Sequence, residues 1–240
     1  MPAAKYNEIY QNLKHKIENQ EVAFQQLLPS ENTLVAQYHC SRNTIRRAIG
    51  YLVSDGYVQT LQGKGVRNIY QRRPSDRTTF TVGKIESFRE SANRSKKAAY
   101  SKVIDFRELT VDANLSAKTG FPVNAEIYYI LRQHYMDDRP LILNHNYFLK
   151  EVVQGLTPEI ATGSIYEYLE NELGITIVNS KRIITVEKMS KTDSTYLDLG
   201  DLNCLMVVSS QTFNSDGIMF EYTQSRHRPD CFEFQDNAVR

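Results

Sequence analysis

The stretch from Leu28 to Gly65 constrains this chain more than any other, because its caps, apolar spacing and glycines specify one local arrangement. Pro29-Ser30-Glu31 places an N-cap hydroxyl ahead of an acid in the first turn, which starts a helix. Leu34, Val35 and Tyr38 give that helix a short apolar face, and His39-Cys40 turns the chain. Ser41 offers a second N-cap. Ile45, Ala48, Ile49, Leu52 and Val53 then repeat with the spacing of a helix that buries one face. Gly56 stands where a helix C-terminus favours a left-handed residue. The opposite face carries Arg42, Asn43, Arg46 and Arg47, side chains of the kinds that bond base edges and phosphates. A solvated helix with ordinary arginines is the plain alternative for this helix taken alone. Gly50 interrupts it at a cost of about 1 kcal/mol relative to alanine, which close helix packing would offset.

The flanks favour the nucleic-acid reading. Residues 5–18 form a helix with Tyr6, Ile9, Tyr10, Leu13 and Ile17 on one side. Residues 57–60 and 66–70 read as paired strands around Gln62-Gly63-Lys64-Gly65, a tip whose glycines let Lys64 approach a phosphate backbone. Together these predict a winged helix-turn-helix. In that arrangement the second helix enters the major groove, with Arg42 and Arg46 one turn apart toward the bases and Arg47 toward the backbone. Charge agrees: residues 1–73 hold ten Lys/Arg against five Asp/Glu, whereas the remainder holds 19 against 23. A basic head on a mildly acidic body suits a protein that grips double-stranded DNA with one end only.

Residues 71–79 are polar, basic and broken by Pro74. The expected organisation is a DNA-binding domain over residues 1–72, a linker over 73–79 and a second domain over 80–240. In that second domain, residues 102–109, 125–135, 141–148, 175–187, 205–213 and 218–228 read as strands. Short helices are expected at 112–118, 164–173 and 192–199. Asp137-Asp138-Arg139-Pro140 and Asn214-Ser215-Asp216-Gly217 are turn sequences that join strands into hairpins. The fold class is therefore α+β, an antiparallel sheet with helices packed on it.

Several function classes drop out. No apolar run approaches a membrane span, and the N-terminus lacks the apolar core of a signal peptide, so a cytoplasmic protein is expected. Cys40, Cys204 and Cys231 are odd in number and lack Cys-x-x-Cys spacing, as expected for free thiols without a metal site. No nucleophile elbow or phosphate loop is present, His134, His145 and His227 are scattered, and no catalytic residue is assigned. Polar residues at Ser87, Arg132, Ser164, Glu221, Arg226 and Arg228 interrupt strands or open helices in the second domain. Ser164 opens a helix where backbone N–H groups favour an anion, and Arg132 could converge there as a bidentate partner. Surface ion pairs are the alternative that spacing alone favours.

Leu28-Pro-Ser-Glu31, Leu34, Tyr38, Ser41-Arg42, Thr44-Ile45-Arg46, Ala48, Leu52, Gly56-Tyr57 and Gly63-x-Gly65 resemble the N-terminal signature of GntR-type bacterial transcriptional regulators. The resemblance implies DNA contacts from Ser41, Arg42, Asn43, Thr44 and Arg46, with Gln62, Gly63 and Lys64 at the wing. Many members carry arginine where this chain has Asn32, so a DNA contact from Asn32 is shorter here. Ser87-Phe88, Ile130-Leu131-Arg132, Asp138-Arg139-Pro140, Ser164-Ile-Tyr-Glu167, Phe220-Glu-Tyr-Thr223 and Arg228-Pro-Asp230 resemble the effector domain of the HutC branch, called UTRA. That domain is similar in fold to chorismate lyase and dimeric. The resemblance implies an effector site of Ser87, Phe88, Arg132, His134 and Ser164 around a phosphate, and of Tyr166, Glu221 and His227 along a sugar. His134 stands where a second arginine is common and His227 where tyrosine is common.

Within that branch, Ser164–Gly174 and Glu221–Arg228 are most similar to repressors of trehalose operons. This implies a homodimer on palindromic operator DNA, released by trehalose 6-phosphate, with no resident cofactor and no membrane partner. Other effectors stay open: an amino-sugar phosphate, an amino acid derivative or a fatty acid. An enzyme acting on a sugar phosphate or a chorismate-like substrate, with the head as a targeting module, is the reading from a different class, and Glu221 with a scattered histidine is all it has to draw on.

Overall fold

The computed structural model describes residues 5–71, 78–81, 85–94, 98–235 and 237. The chain divides into two compact units, Met1–Ser75 with Gln235–Arg240, and Asp76–Phe234. The expected linker falls mostly outside the described residues, which omit 72–77, and a strand already begins at Thr78.

The first unit contains α1 (Lys5–Glu18), α2 (Glu31–Tyr38), α3 (Arg42–Ser54), β1 (Val58–Leu61) and β2 (Gly65–Asn68). Ser30 and Ser41 cap α2 and α3, each accepting from the backbone N–H of the residue three ahead, at 3.2 Å. His39 ends α2 in the left-handed region at φ 48°, which sets the sharp turn into α3. Ile9, Leu13, Ile17, Leu34, Ile45, Ala48, Leu52 and Val58 close the core, the residues that helical spacing places on inward faces. Two tyrosines tie elements across it. Tyr10 donates to Asp55 beyond the end of α3, and Tyr57 donates to Glu18 of α1 at 2.6 Å. β1 and β2 pair antiparallel from Val58↔Asn68 to Leu61↔Gly65, and Gly63 and Gly65 take the positive φ the tip requires. Gly50 is exposed and a Cβ there would meet nothing within 4 Å, so close packing is not what keeps a glycine at this position.

The second unit runs β3 (Thr78–Thr81), α4 (Phe88–Arg94), β4 (Ala99–Thr110), α5 (Ala113–Thr119), β5 (Glu126–Met136), β6 (Arg139–Leu149), α6 (Pro158–Thr162) and α7 (Ile165–Asn171). It continues with β7 (Ile177–Lys188), α8 (Lys191–Tyr196), β8 (Cys204–Asn214), β9 (Met219–His227), a 3-10 turn (Pro229–Cys231) and β10 (Phe232–Gln235). Six strands form one antiparallel sheet in the order β4-β5-β6-β9-β8-β7, while β3 pairs with β10. One face packs Leu131, Leu143, Leu205 and Val207 with Leu197, which follows α8. The other packs Ile130, Phe148 and Phe220 against Ala161 of α6 and Ile165 and Leu169 of α7. The sheet is thus buried on two sides at its centre, and β5 is covered along almost its whole length. Helices α6 and α7 cover only part of their face. The remainder holds the cavity described next.

Candidate functional site

On the first unit, Arg42, Asn43 and Arg46 lie exposed on α3, with Thr44 half-buried beside the Ser41 cap. Arg46 is held: its Nε donates to both carboxylate oxygens of Glu31, at 3.1 and 3.0 Å. Glu31 is thus a partner of the recognition face, although in the sequence it registers only as a first-turn acid. Arg47 turns toward α1, its guanidinium 3.9 Å from the centre of the Tyr6 ring, so its side chain packs as well as carrying charge. Gln62, Gly63 and Lys64 are exposed at the ribbon tip, and Asn32 is exposed in the first turn of α2.

On the second unit, strand register makes the site. Side chains two apart on a strand share a face, and antiparallel pairing aligns those positions into rows across the sheet. Ser101, His134, Ile142 and His227 are neighbours across β4, β5, β6 and β9. Arg132, Asn144 and Ser225 form the next row. Ile130, Asn146, Thr223, Ser210 and Arg182 form the third, and Tyr128, Phe148 and Glu221 the fourth. Segments Glu86–Arg89 and Thr162–Tyr166 wall these rows, enclosing a cavity of about 190 Å³. That is more than ten times the roughly 15 Å³ that admits one water, so it has room for a small organic ligand. Ser87, Phe88, Arg132, His134, Ser164, Tyr166, Glu221 and His227 all line it.

Cationic and acceptor groups occupy this cavity together. Arg132 is 8% exposed, donates through Nη2 to Gly163 O at 2.8 Å, and keeps a buried Nε without a hydrogen-bond partner. Burial lowers its pKa to about 10, with Glu221 opposing, so it stays charged near neutrality. Burial likewise holds His227 down at about 3. Asn146 donates to Thr223, Thr223 donates to Glu221, and Tyr166 donates to the other Glu221 oxygen, at 2.9, 2.8 and 2.7 Å. Burial, then the Glu221 charge, pushes the Tyr166 phenol well above its ordinary value, so it remains a donor. The Oδ1 atoms of Asn144 and Asn146 are buried without partners. Such groups cost roughly 1–3 kcal/mol each when left unsatisfied, and a polar ligand would recover that.

Ser87 and Glu90 cap α4 reciprocally: Ser87 N donates to Glu90 at 2.6 Å, and Glu90 N donates to Ser87 Oγ at 3.2 Å. Ser164 caps α7 through its side chain alone, accepting from Glu167 N at 3.3 Å. Arg89 of α4 meets Glu167 of α7 at 3.5 Å beside the cavity. Arg226 and Arg228 are placed elsewhere. Arg226 is buried in an ion pair with Asp193, through Nε at 2.8 Å and Nη2 at 3.0 Å, and it also meets Glu187. Arg228 pairs with Asp230. Sequence reasoning missed Ser101, Asn144, Asn146, Thr223 and Arg182. The available signal was the period-two repeat of asparagines in Asn144-His145-Asn146 within an otherwise apolar strand. Among the described residues, no group of three or more His, Cys, Asp and Glu could hold a metal ion, and no helix is long and apolar enough to cross a membrane.

A helix-turn-helix with an exposed arginine face, joined to a sheet domain with a buried polar cavity, defines a ligand-responsive regulator. Residues 5–67 match the bacterial regulatory proteins of the gntR family, residues 94–233 match the UTRA domain, and the chain belongs to this family. Its relatives narrow the class. The HTH-type transcriptional regulator TreR of Bacillus subtilis is 34% identical over 240 residues, covering 100% of this chain and 99% of that one. The B. subtilis repressor NagR is 24% identical over 97% of this chain and 94% of its own. Among solved structures, the B. subtilis trehalose repressor (TreR) effector binding domain superposes with a TM-score of 0.54 at 33% identity. It covers 59% of this chain and 98% of that one. The crystal structure of the possible transcriptional regulator YydK of B. subtilis gives a TM-score of 0.81 over 98% of this chain and 100% of that one, a likeness of fold at 22% identity. The chain is a transcriptional repressor of the GntR family.

Proposed function

We propose that this repressor controls a trehalose-utilisation operon and leaves its operator when trehalose 6-phosphate enters the cavity. The observation that carries the reading is the lining. An unpartnered Arg132 Nε suits an anion, while Asn144, Asn146 and Glu221 present acceptors for sugar hydroxyls. The likeness to TreR along the whole chain supports the particular sugar. In this reading Ser87, Phe88, Arg132, His134 and Ser164 surround the phosphate, and Tyr166, Glu221 and His227 lie along the sugar.

A homodimer places two heads on palindromic half-sites one helical turn, or a multiple of it, apart. The outer edge of β7 is the surface assigned to that dimer. Val178, Ile183 and Val186 are 58%, 67% and 64% exposed on a strand with no outer neighbour in the sheet among the described residues, a template for strand pairing. Effector must prefer the arrangement that fits DNA less well, and by reciprocity DNA then weakens effector binding.

A thermal-shift panel of trehalose 6-phosphate, trehalose and glucosamine 6-phosphate tests the effector. A ligand at 100 times its dissociation constant adds about 2.7 kcal/mol, a shift easily seen. Trehalose 6-phosphate should stabilise the protein and release it from operator DNA. Stabilisation by glucosamine 6-phosphate alone would assign a different sugar.

A further inference from the structure

His134 is 1% exposed, and its two ring nitrogens meet very different surroundings. Nδ1 lies 2.7 Å from Ser101 Oγ, a hydroxyl that accepts as readily as it donates. Nε2 is buried with no hydrogen-bond partner among the described residues, and the residue lines the cavity. Phe88 packs on the ring with centroids 4.5 Å apart, which fixes its plane. The charged and titratable groups around it come from three elements. Arg132 lies two residues along β5, His227 comes from β9, and Glu86 and Arg89 reach the cavity from the α4 end. Burial, then Arg132 and His227, keeps the ring neutral with its pKa well below that of an ordinary histidine.

A buried imidazolium needs an acceptor at each N–H and a compensating charge. Ser101 can be the first acceptor. Among the described residues no acceptor meets Nε2, and a dianion seated on Arg132 supplies both that acceptor and further negative charge. We propose that His134 takes up a proton from solvent as a phosphate monoester enters the cavity, with Ser101 as its positioning residue. The pocket thereby favours dianions over singly charged sulfate or carboxylate analogues. No covalent bond to the ligand forms. This inference rests on the sugar-phosphate reading above.

Calorimetry of the full chain with trehalose 6-phosphate, in two buffers of unlike ionisation enthalpy, tests it. At about pH 7.5 the ligand is already dianionic, since its second pKa is about 6, so any uptake belongs to the protein. The expected result is uptake of at least about half a proton per site. His134→Gln should bind about tenfold or more weakly, with heats that no longer depend on buffer. His145→Gln, on the opposite face of the sheet, should keep the uptake, and Ser101→Ala should reduce it. Trehalose 6-sulfate should bind more weakly and without uptake. Nitrogen-15 shifts of the wild-type complex, which need no variant to fold, should show both His134 ring nitrogens protonated. Binding without buffer dependence, a neutral His134 ring in the complex, uptake that survives His134→Gln, or equal affinity for the sulfate would each overturn the inference while leaving the sugar-phosphate reading intact. No binding heat at all would remove that reading and this inference with it.

Discussion

Arg132 concentrates the logic of the body in one side chain. It is buried and charged, lines the cavity, spends one guanidinium nitrogen on Gly163 O, and keeps Nε without a hydrogen-bond partner among the described residues. Arg132→Ala should leave operator affinity unchanged and abolish release by trehalose 6-phosphate, read by fluorescence anisotropy of labelled operator with and without ligand. Release that persists would move the anion site elsewhere. Gly50 offers a residue-scale test of the head. A Cβ there points into open space and the helix continues on both sides. Gly50→Ala should therefore raise the stability of the head by about 0.5–1 kcal/mol, measured by urea unfolding.

Elements account for what single residues do not. The β1–β2 ribbon exposes Lys64 between two glycines of positive φ, and we propose that its charge serves the phosphate backbone rather than any base. Lys64→Ala should weaken binding to every DNA sequence and reduce the magnitude of the salt slope by about 1, read from affinities across a salt series. The sheet makes a pH-dependent contribution of its own. His134, His145 and His227 are held neutral mainly by burial, at about 4 for His145 and about 3 for His227. In the unfolded chain they bind protons below about pH 6.5, which the native state does not. Stability should therefore fall as pH drops from about 6.5 toward the folded values, by up to about 1.4 kcal/mol per pH unit per histidine. Urea unfolding of the wild type and of His227→Phe at about pH 6.5 and 5.5 checks both sign and size.

At the scale of the molecule, the excess of basic residues in the head and of acidic residues in the body directs DNA to one end of the chain. The proposed dimer doubles that effect by presenting two heads to one site. Ile183→Lys should shift the protein toward monomer in light scattering and lower operator affinity. Equal mass and affinity would move the dimer surface away from the β7 edge. Repression and release then amount to a difference in ligand affinity between two arrangements of the same chain.

Much of this was legible before any coordinates. The head reads from its caps and its helical period, because those signals are local and α1 to α3 follow them nearly to the residue. The hairpin from β5 to β6 reads from Asp137-Asp138, both of which adopt positive φ. Helix α4 escaped notice although Ser87-Phe-Arg-Glu90 carries its capping box, since seven residues without an apolar stripe give no periodicity to see. What the chain alone determined was therefore the local grammar: which segments wind, which extend, and which face of α3 carries the arginines. What only tertiary structure decided was register. Ser101 beside His134, Arg132 beside Asn144, and Thr223 between Asn146 and Ser210 are juxtapositions of residues up to 77 positions apart. They arise because pairing six strands in one alignment stacks distant polar side chains into rows, and no local rule of spacing contains that alignment.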